Sequence, residues 1–107
     1  MPRYLFEANY TQAGLKGLAS AGGSARRDAI DAMISALGGT VEAFYFAQGE
    51  SDVVLIIDLP DNKSVAAVSL TVGAAGAVTN MKTRPLLTPE EIDEAARTAV
   101  DYRPPGS

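Results

Sequence analysis

Residues 52–59 restrict the fold of this chain more than any other segment, because they are apolar at nearly every position. As a strand, the segment has aliphatic side chains on both sides, Val53, Leu55 and Ile57 on one and Val54 and Ile56 on the other. An antiparallel strand with one face in water shows polar residues at every second position, so this pattern indicates burial of both faces. The aliphatic run is far shorter than the roughly 20 residues of a membrane helix. The sequence therefore predicts a strand that is covered on both sides in a globular domain.

The flanking sequence predicts three more strands. Alternating patterns typical of strands cover residues 4–10, 40–48 and 78–87. In the second of these, one side carries Val41, Ala43, Tyr45 and Ala47, and the other carries Glu42, Phe44, Phe46 and Gln48. Pro85 cannot donate a hydrogen bond to a neighbouring strand, so the last strand is expected to lie at a sheet edge or to stop pairing there.

Helical patterns fill the intervals between the strands. A stretch that begins after Thr11 is interrupted by Gly22-Gly23, a second begins at Ser24, and a third covers about residues 62–76. Thr88-Pro89-Glu90-Glu91 has the spacing of a capping box with proline at the first helical position. It predicts a terminal helix to about Val100, followed by an extended tail over residues 101–107, because proline cannot continue a helix.

The order of these elements predicts a single α+β domain over residues 1–107, a ferredoxin-like βαββαβ sandwich with a C-terminal helix. In such a fold the crossover helices cover one face of the sheet and leave the other open. Val54 and Ile56, or their counterparts on the other side of the strand, are expected on the open face together with Phe44 and Phe46. Exposure there forgoes roughly 1.5–3 kcal/mol for each large side chain. We therefore expect a homodimer through the open sheet face, or a higher oligomer. The alternative is that the terminal helix of the same chain covers this face.

Composition and charge exclude several classes of function. The 107 residues contain no cysteine, histidine or tryptophan, which excludes disulfides, thiolate nucleophiles, His-dependent triads and zinc sites built on Cys or His. We therefore expect neither a metal nor a cofactor. Thirteen acidic and nine basic residues give a net charge of −4, which argues against nucleic acid as a partner. The first residues lead into no apolar signal region, so a cytoplasmic protein without a membrane partner is expected.

Polar residues on the predicted sheet form one candidate ligand site. Glu7 and Asn9 share a side of the first strand, and three charged residues of neighbouring strands are expected nearby, namely Asp58, Lys82 and Arg84. Such a cluster would line a small-molecule cavity walled by aromatic side chains such as Tyr10 and Tyr45, with Glu7 or Asp58 as a general base. The alternative is that Glu7 pairs with Lys82 or Arg84 across strands and that the aromatic residues are core or interface.

A second candidate lies where the second helical stretch begins. Gly23, Ser24, Arg26 and Arg27 combine a glycine turn, a hydroxyl and two guanidinium groups at a helix N-terminus, where backbone N–H groups attract anions. This pattern predicts a site for a phosphate or carboxylate. The alternative is a plain helix break with Ser24 as the N-cap and both arginines in solvent. Asp52, beside the glycine turn at Gly49, is interpreted as a turn-stabilising residue.

The sequence resembles the GYD domain family of small bacterial and archaeal proteins over nearly its whole length. The resemblance rests on ordered segments that include Leu37-Gly38-Gly39, Glu42-Ala43-Phe44-Tyr45-Phe46, Leu59-Pro60-Asp61-Asn62, Leu86-Leu87-Thr88-Pro89-Glu90-Glu91 and Tyr102-Arg103-Pro104-Pro105-Gly106. The family is named for a Gly-Tyr-Asp element, and Ser51 stands where its tyrosine is expected. The resemblance implies a dimeric α/β-barrel and brings no established activity.

These observations lead to two hypotheses of different kinds. The first is a homodimeric module that binds a small molecule or serves as an accessory protein. The second is a cofactor-independent enzyme that acts on a small organic acid or a polyketide-like substrate in a cavity of the dimeric barrel. A deep cavity containing Glu7 or Asp58 with convergent polar partners would favour the enzyme. A purely structural oligomer is a third reading, which no sequence feature separates from the first.

Overall fold

The four strands form one antiparallel sheet in the order β2-β3-β1-β4. The computed structural model describes all 107 residues. Along the chain, the elements are β1 (Arg3–Tyr10), α1 (Gln12–Ala21), α2 (Gly23–Ala36), β2 (Thr40–Phe46), β3 (Val53–Asp58), α3 (Asn62–Ala74), β4 (Val78–Leu86) and α4 (Pro89–Arg97). This is the predicted ferredoxin-like α+β arrangement. None of its helices combines the length and the apolarity that crossing a membrane requires.

β1 lies between β3 and β4 in the sheet, and every second one of its side chains packs into the core. Tyr4, Phe6, Ala8 and Tyr10 are buried, and the residues between them are half-exposed. Phe6 is opposite Leu55 of β3 and Thr83 of β4. β4 is an edge strand, as the missing N–H of Pro85 predicts. The pairing with β1 nevertheless continues through Pro85, which is opposite Tyr4.

Helices α2 and α3 cover one face of the sheet, called here the helix-covered face. Ile34 of α2 is completely buried, and Val68 of α3 is nearly so. Ile30 and Met33 of α2 and Val65 and Val72 of α3 pack beside them. Val65, Val68 and Val72 recur at helical spacing, so all three face the sheet, whereas Leu70 of the same helix is 74% exposed.

A bulge in β2 overturns the expectation that Phe44 and Phe46 lie on the open face. The register with β3 shifts between Val41 and Ala43, so the side-chain alternation changes sides at Glu42. Phe44 is opposite Leu55 on the helix-covered face and is buried. Phe46 lies on the same face, against Gly23, where a Cβ atom would lie 2.8 Å from its ring. The open face therefore holds fewer aromatic side chains than expected.

Gly22 separates α1 from α2. Its φ of 88° lies in the left-handed region, which glycine adopts without strain. The residue caps both helices, so α2 begins at Gly23, one residue before Ser24. The expectation that Ser24 is the N-cap is wrong, since no side chain caps this helix.

The terminal helix α4 leaves the sheet uncovered. The capping box is confirmed: the Glu91 backbone N–H donates to Thr88 Oγ1 over 3.1 Å, and the Thr88 N–H donates to Glu91 Oε1 over 3.0 Å. The helix ends at Arg97 rather than Val100, and residues 87–107 are all exposed. The radius of gyration is 17.1 Å, whereas a compact domain of this length has about 13 Å. The terminal segment projects, and the alternative in which it covers the open face is wrong.

Candidate functional site

The open face of the sheet brings most of the predicted ligand-site residues together. Cross-strand neighbours there form three rows: Tyr45, Val54, Glu7 and Lys82; Ala43, Ile56, Leu5 and Arg84; Thr40, Asp58, Arg3 and Leu86. Val54 of the first row and Ile56 and Leu5 of the second form an apolar group on the middle strands, and Glu7 and the other charged side chains lie around it. The pattern matches the prediction that one side of β1 shares its neighbourhood with Asp58, Lys82 and Arg84.

Glu7 lies in the first row, beside an arginine. Its Oε2 lies 3.2 Å from Arg84 Nη1, and the Ser51 hydroxyl donates a long hydrogen bond of 3.4 Å to Oε1. The Glu7 side chain is 19% exposed, and Oε2 itself is buried without a well-directed hydrogen bond. The contact with Arg84 is therefore an ion pair rather than an oriented hydrogen bond. This corresponds to the structural alternative considered for Glu7.

Asp58 belongs to a separate ion pair at the other end of the face. Arg3 donates to both of its oxygens, from Nε over 2.7 Å and from Nη2 over 3.1 Å. The hydrogen bond from Arg3 lowers the pKa of Asp58, and the charge of the guanidinium acts in the same direction. Asp58 is opposite Arg3, four residues from Glu7 along β1, which corresponds to about 13 Å in a strand. The two carboxylates do not act on a common point.

Asn9 and Asp52 hold the loop between β2 and β3 against the end of β1. The Asn9 amide donates to the Glu50 carbonyl and accepts from the Asn80 amide, both over 2.9 Å. Asp52 accepts a hydrogen bond of 2.9 Å from the Tyr10 backbone N–H. This contact lies just after the point where the register of β1 with β4 shifts. These contacts agree with the turn-stabilising interpretation of Asp52. They also use both the nitrogen and the oxygen of the Asn9 side-chain amide, so this side chain has a structural role.

The two remaining residues of the cluster are Tyr45 and Lys82. Tyr45 is 70% exposed at the β2 edge of the first row. Lys82 is opposite Glu7 at the β4 edge and forms no ion pair within 4.0 Å. The carboxylates nowhere form a group of three that could hold a metal ion.

The helix-covered face holds two cavities. The first has a volume of about 60 Å³ between the sheet and helices α2 and α3, and 13 of its 15 lining residues are hydrophobic. The second, of about 300 Å³, lies between α1 and α2, and apart from Arg26 it is lined by Tyr10, Leu18 and small residues, namely Ala13, Gly14, Gly17, Ala21, Gly22, Ala25, Ala29 and Ala77. Tyr10 and Arg26 line both. Glu7 also borders the first cavity, but its carboxylate reaches Arg84 on the opposite face.

Arg26 and Tyr10 present polar groups that have no partner in the chain. Arg26 is half-buried and makes no ion pair, whereas the adjacent Arg27 lies 3.7 Å from Asp31. The Tyr10 ring is buried and its hydroxyl makes no hydrogen bond, whereas the Tyr4 hydroxyl donates to Asn62 Oδ1 over 2.7 Å. Two donors on the wall of apolar cavities are thus free to bind a ligand.

The structure does not bring the four residues of the predicted anion site together. Arg26 lines the cavities, Gly23 packs against Phe46, and Ser24 and Arg27 are exposed. Sequence reasoning treated Tyr10 only as a core or wall residue, and it did not single out the groove between α1 and α2. The signal for that groove was the series of alanine and glycine residues along α1.

Comparison with known proteins identifies a family for this chain. The model of the GYD domain matches residues 4–96, a range that contains Tyr10, Arg26 and all of the sheet except Arg3. No curated protein and no solved structure shows a significant match. Because the match covers most of the sequence, the chain belongs to the GYD domain family.

Proposed function

We propose that this chain is a small-molecule-binding module that acts as a homodimer. The observation that carries the proposal is the pair of adjoining cavities on the helix-covered face. Ligand sites are typically mostly apolar concavities of about 300–1,000 Å³ with a few polar groups. The larger cavity has about 300 Å³, and the smaller one extends the apolar wall beneath α2. The larger one is a groove open to solvent, since Ala13, Gly17 and Ala25 in its lining are exposed, and a mostly apolar concavity of this size supports a binding role.

The open face supports the homodimer. Leu5, Val54 and Ile56 are only half-buried in a single chain, and the projecting terminal segment does not cover them. The charged residues of this face are three basic, Arg3, Lys82 and Arg84, and three acidic, Glu7, Glu42 and Asp58, so its net charge is zero. A twofold arrangement places a surface against its own copy. A neutral surface that carries both signs does not repel that copy, so the occupant we propose is a second copy of this chain.

The geometry favours binding over catalysis. Glu7 and Asp58 are the carboxylates that were expected to serve as a general base. Both lie beside arginines on the open face, on the other side of the sheet from the cavities. Neither carboxylate lines the larger cavity, and Glu7, which borders the smaller one, is paired with Arg84.

Native mass spectrometry of the chain purified from its own host tests both parts of this proposal. We expect a species of about twice the 11.1 kDa of one chain, with additional mass from a retained small molecule. Monomer at micromolar concentration would overturn the homodimer. The absence of any retained mass, together with no thermal stabilisation by a library of small organic molecules, would overturn the binding role.

A pair of variants locates the interface. Ile56→Glu introduces a charge on the open face, and we expect it to convert the dimer to monomer. Leu70→Glu introduces the same charge on α3, where Leu70 is 74% exposed, and is expected to leave the dimer intact. If Leu70→Glu disrupts the dimer and Ile56→Glu does not, the copies associate through the helices and the open face is not the interface.

A further inference from the structure

The two cavities share one wall, and that wall carries the unpaired polar groups. Tyr10 comes from the end of β1, and Arg26 comes from the second turn of α2. Arg26 is the one charged residue that lines the larger cavity. An occupant of the larger cavity therefore meets Arg26, Tyr10 and otherwise apolar residues, and Glu7 borders only the smaller cavity.

Arg26 is a half-buried residue whose guanidinium group has no acidic partner, although none of its nitrogens is fully buried. Burial removes part of the hydration of a charged group, and proteins normally compensate for it with a partner charge. Arg3, Arg27 and Arg84 each lie within ion-pair distance of a carboxylate, and Arg26 does not. Arg26 therefore differs from these three arginines, because it lines the cavities and has no carboxylate beside it.

From these observations we propose that the ligand is a small organic carboxylate with an apolar body, its carboxylate bound by Arg26 and Tyr10. This inference rests on the proposed binding function and names its ligand class. The guanidinium plane matches the two oxygens of a carboxylate. The Tyr10 hydroxyl adds a neutral donor on the same wall, and the alanine and glycine residues of the larger cavity contact the apolar body.

The charge count selects a monocarboxylate over a phosphate. Arg27 lies beside Asp31 and is exposed, and Ser24 is exposed, so neither adds a donor inside the cavities. A single positive charge balances a single negative one. The chain carries a net charge of −4, which does not favour a dianion. The site therefore fits a ligand with one carboxylate rather than a phosphate group.

Matched probes test this ligand class by isothermal titration calorimetry on the full chain. The carboxylates are benzoate and hexanoate, and the neutral controls of the same shape are benzamide and hexanamide. We expect the carboxylates to bind at least tenfold more tightly than the amides, since a hydrogen bond to a charged group contributes more than a neutral one. Inorganic phosphate is expected to bind more weakly than either carboxylate. Equal binding of the amides, or tighter binding of phosphate, would overturn the inference.

Variants of the two arginines locate the carboxylate. Arg26→Gln is expected to weaken benzoate binding by about 10- to 100-fold, and Tyr10→Phe by a smaller factor. Arg27→Gln removes the same charge from the next residue of α2 and is expected to leave the affinity unchanged. Circular dichroism confirms the fold of each variant. If Arg26→Gln binds benzoate as the natural chain does, Arg26 does not hold the carboxylate.

A third variant locates the apolar body. A Cβ atom at Gly17 would meet no atom within 4 Å, so Gly17→Leu places a side chain in the larger cavity without a clash. We expect this variant to lose benzoate and hexanoate binding. Retained binding would remove the larger cavity from the proposal.

The two proposals can fail separately. If no carboxylate binds but native mass spectrometry retains a neutral molecule, the ligand class is wrong and the binding function stands. If neither experiment detects a ligand, both proposals fail.

Discussion

The two faces of the sheet differ in whether their charged side chains have a partner of opposite charge. On the open face, Glu7 and Asp58 each lie beside an arginine, at 3.2 Å and 2.7 Å. On the helix-covered face, Arg26 has no acidic partner although it is half-buried. Ion pairs near a protein surface contribute little to stability, so the pairing on the open face leaves its charges balanced without adding much to the free energy of unfolding. The unpaired arginine has no such structural role, which is why binding is assigned to its face.

The faces also differ in how completely they bury apolar side chains. Every second residue of β3 is buried against the helices, and the residues between them are half-exposed. On the helix-covered side, the chain itself therefore buries the apolar side chains of β3. On the other side, the side chains are only partly buried, and the proposed second copy would cover what is still exposed.

The largest expected effect separates these two sides of β3. Ile57 is 2% exposed on the helix-covered face, so Ile57→Ala is expected to lower the free energy of unfolding by about 2–5 kcal/mol. Ile56 is half-exposed on the open face, so Ile56→Ala costs the single chain less and weakens self-association instead. Urea unfolding at two protein concentrations measures both. Equal, concentration-independent losses would contradict the distinction between the faces.

A smaller effect concerns the two glycines of α1 that line the larger cavity. A Cβ atom at Gly14 would overlap the Ala77 carbonyl, whereas one at Gly17 would meet nothing. Gly14→Ala is therefore expected to destabilise the chain by about 1–3 kcal/mol. Gly17→Ala is expected to stabilise it by up to about 1 kcal/mol through helix propensity. Thermal unfolding reports both as shifts of opposite sign, and a loss of stability in Gly17→Ala would mean that α1 packs more closely there.

Local patterns of the sequence were sufficient for most of the fold. The alternation in β1 and β3, the missing N–H of Pro85 and the capping box at Thr88 each act through neighbouring residues, so they can be read without coordinates. The bulge at Glu42 could not be read in this way. One extra residue exchanges the two faces of a strand, and nothing in the composition of β2 marks the position. Phe44 and Phe46 were assigned to the wrong face for this reason.

The candidate site was only partly accessible to the same reasoning. Arg26 was recognised as part of a possible anion site, but with Ser24 and Arg27, which helix rotation places in solvent. The cavities depend on the distance between α1 and α2 and on what lies beneath them. Sequence periodicity describes the faces of a helix and not the space between two helices. The missing hydrogen bond of the Tyr10 hydroxyl is likewise visible only when its surroundings are known.

The smallest expected effect is the pH dependence contributed by the Asp58 ion pair of the open face. The hydrogen bond from Arg3 lowers the pKa of Asp58 in the folded chain. The unfolded chain then binds more protons in acid, so this contribution to stability is present above about pH 4 and is lost as the pH falls through the folded pKa. Asp58→Asn is therefore expected to be less stable than the natural chain at pH 7, with a difference that shrinks at pH 3.

Urea unfolding at the two pH values measures this difference, and the matched control is Glu90→Gln in α4, where the carboxylate lies beside no basic side chain within 4.0 Å. The control is expected to follow the natural chain at both values. Asp61 also has a lowered pKa, because the Ser64 backbone N–H donates to it, and it contributes with the same sign in both proteins. A difference for Asp58→Asn that stays constant with pH would mean that Arg3 and Asp58 are not paired in solution. The open face would then lose one of the paired charges that distinguish it from the face of Arg26.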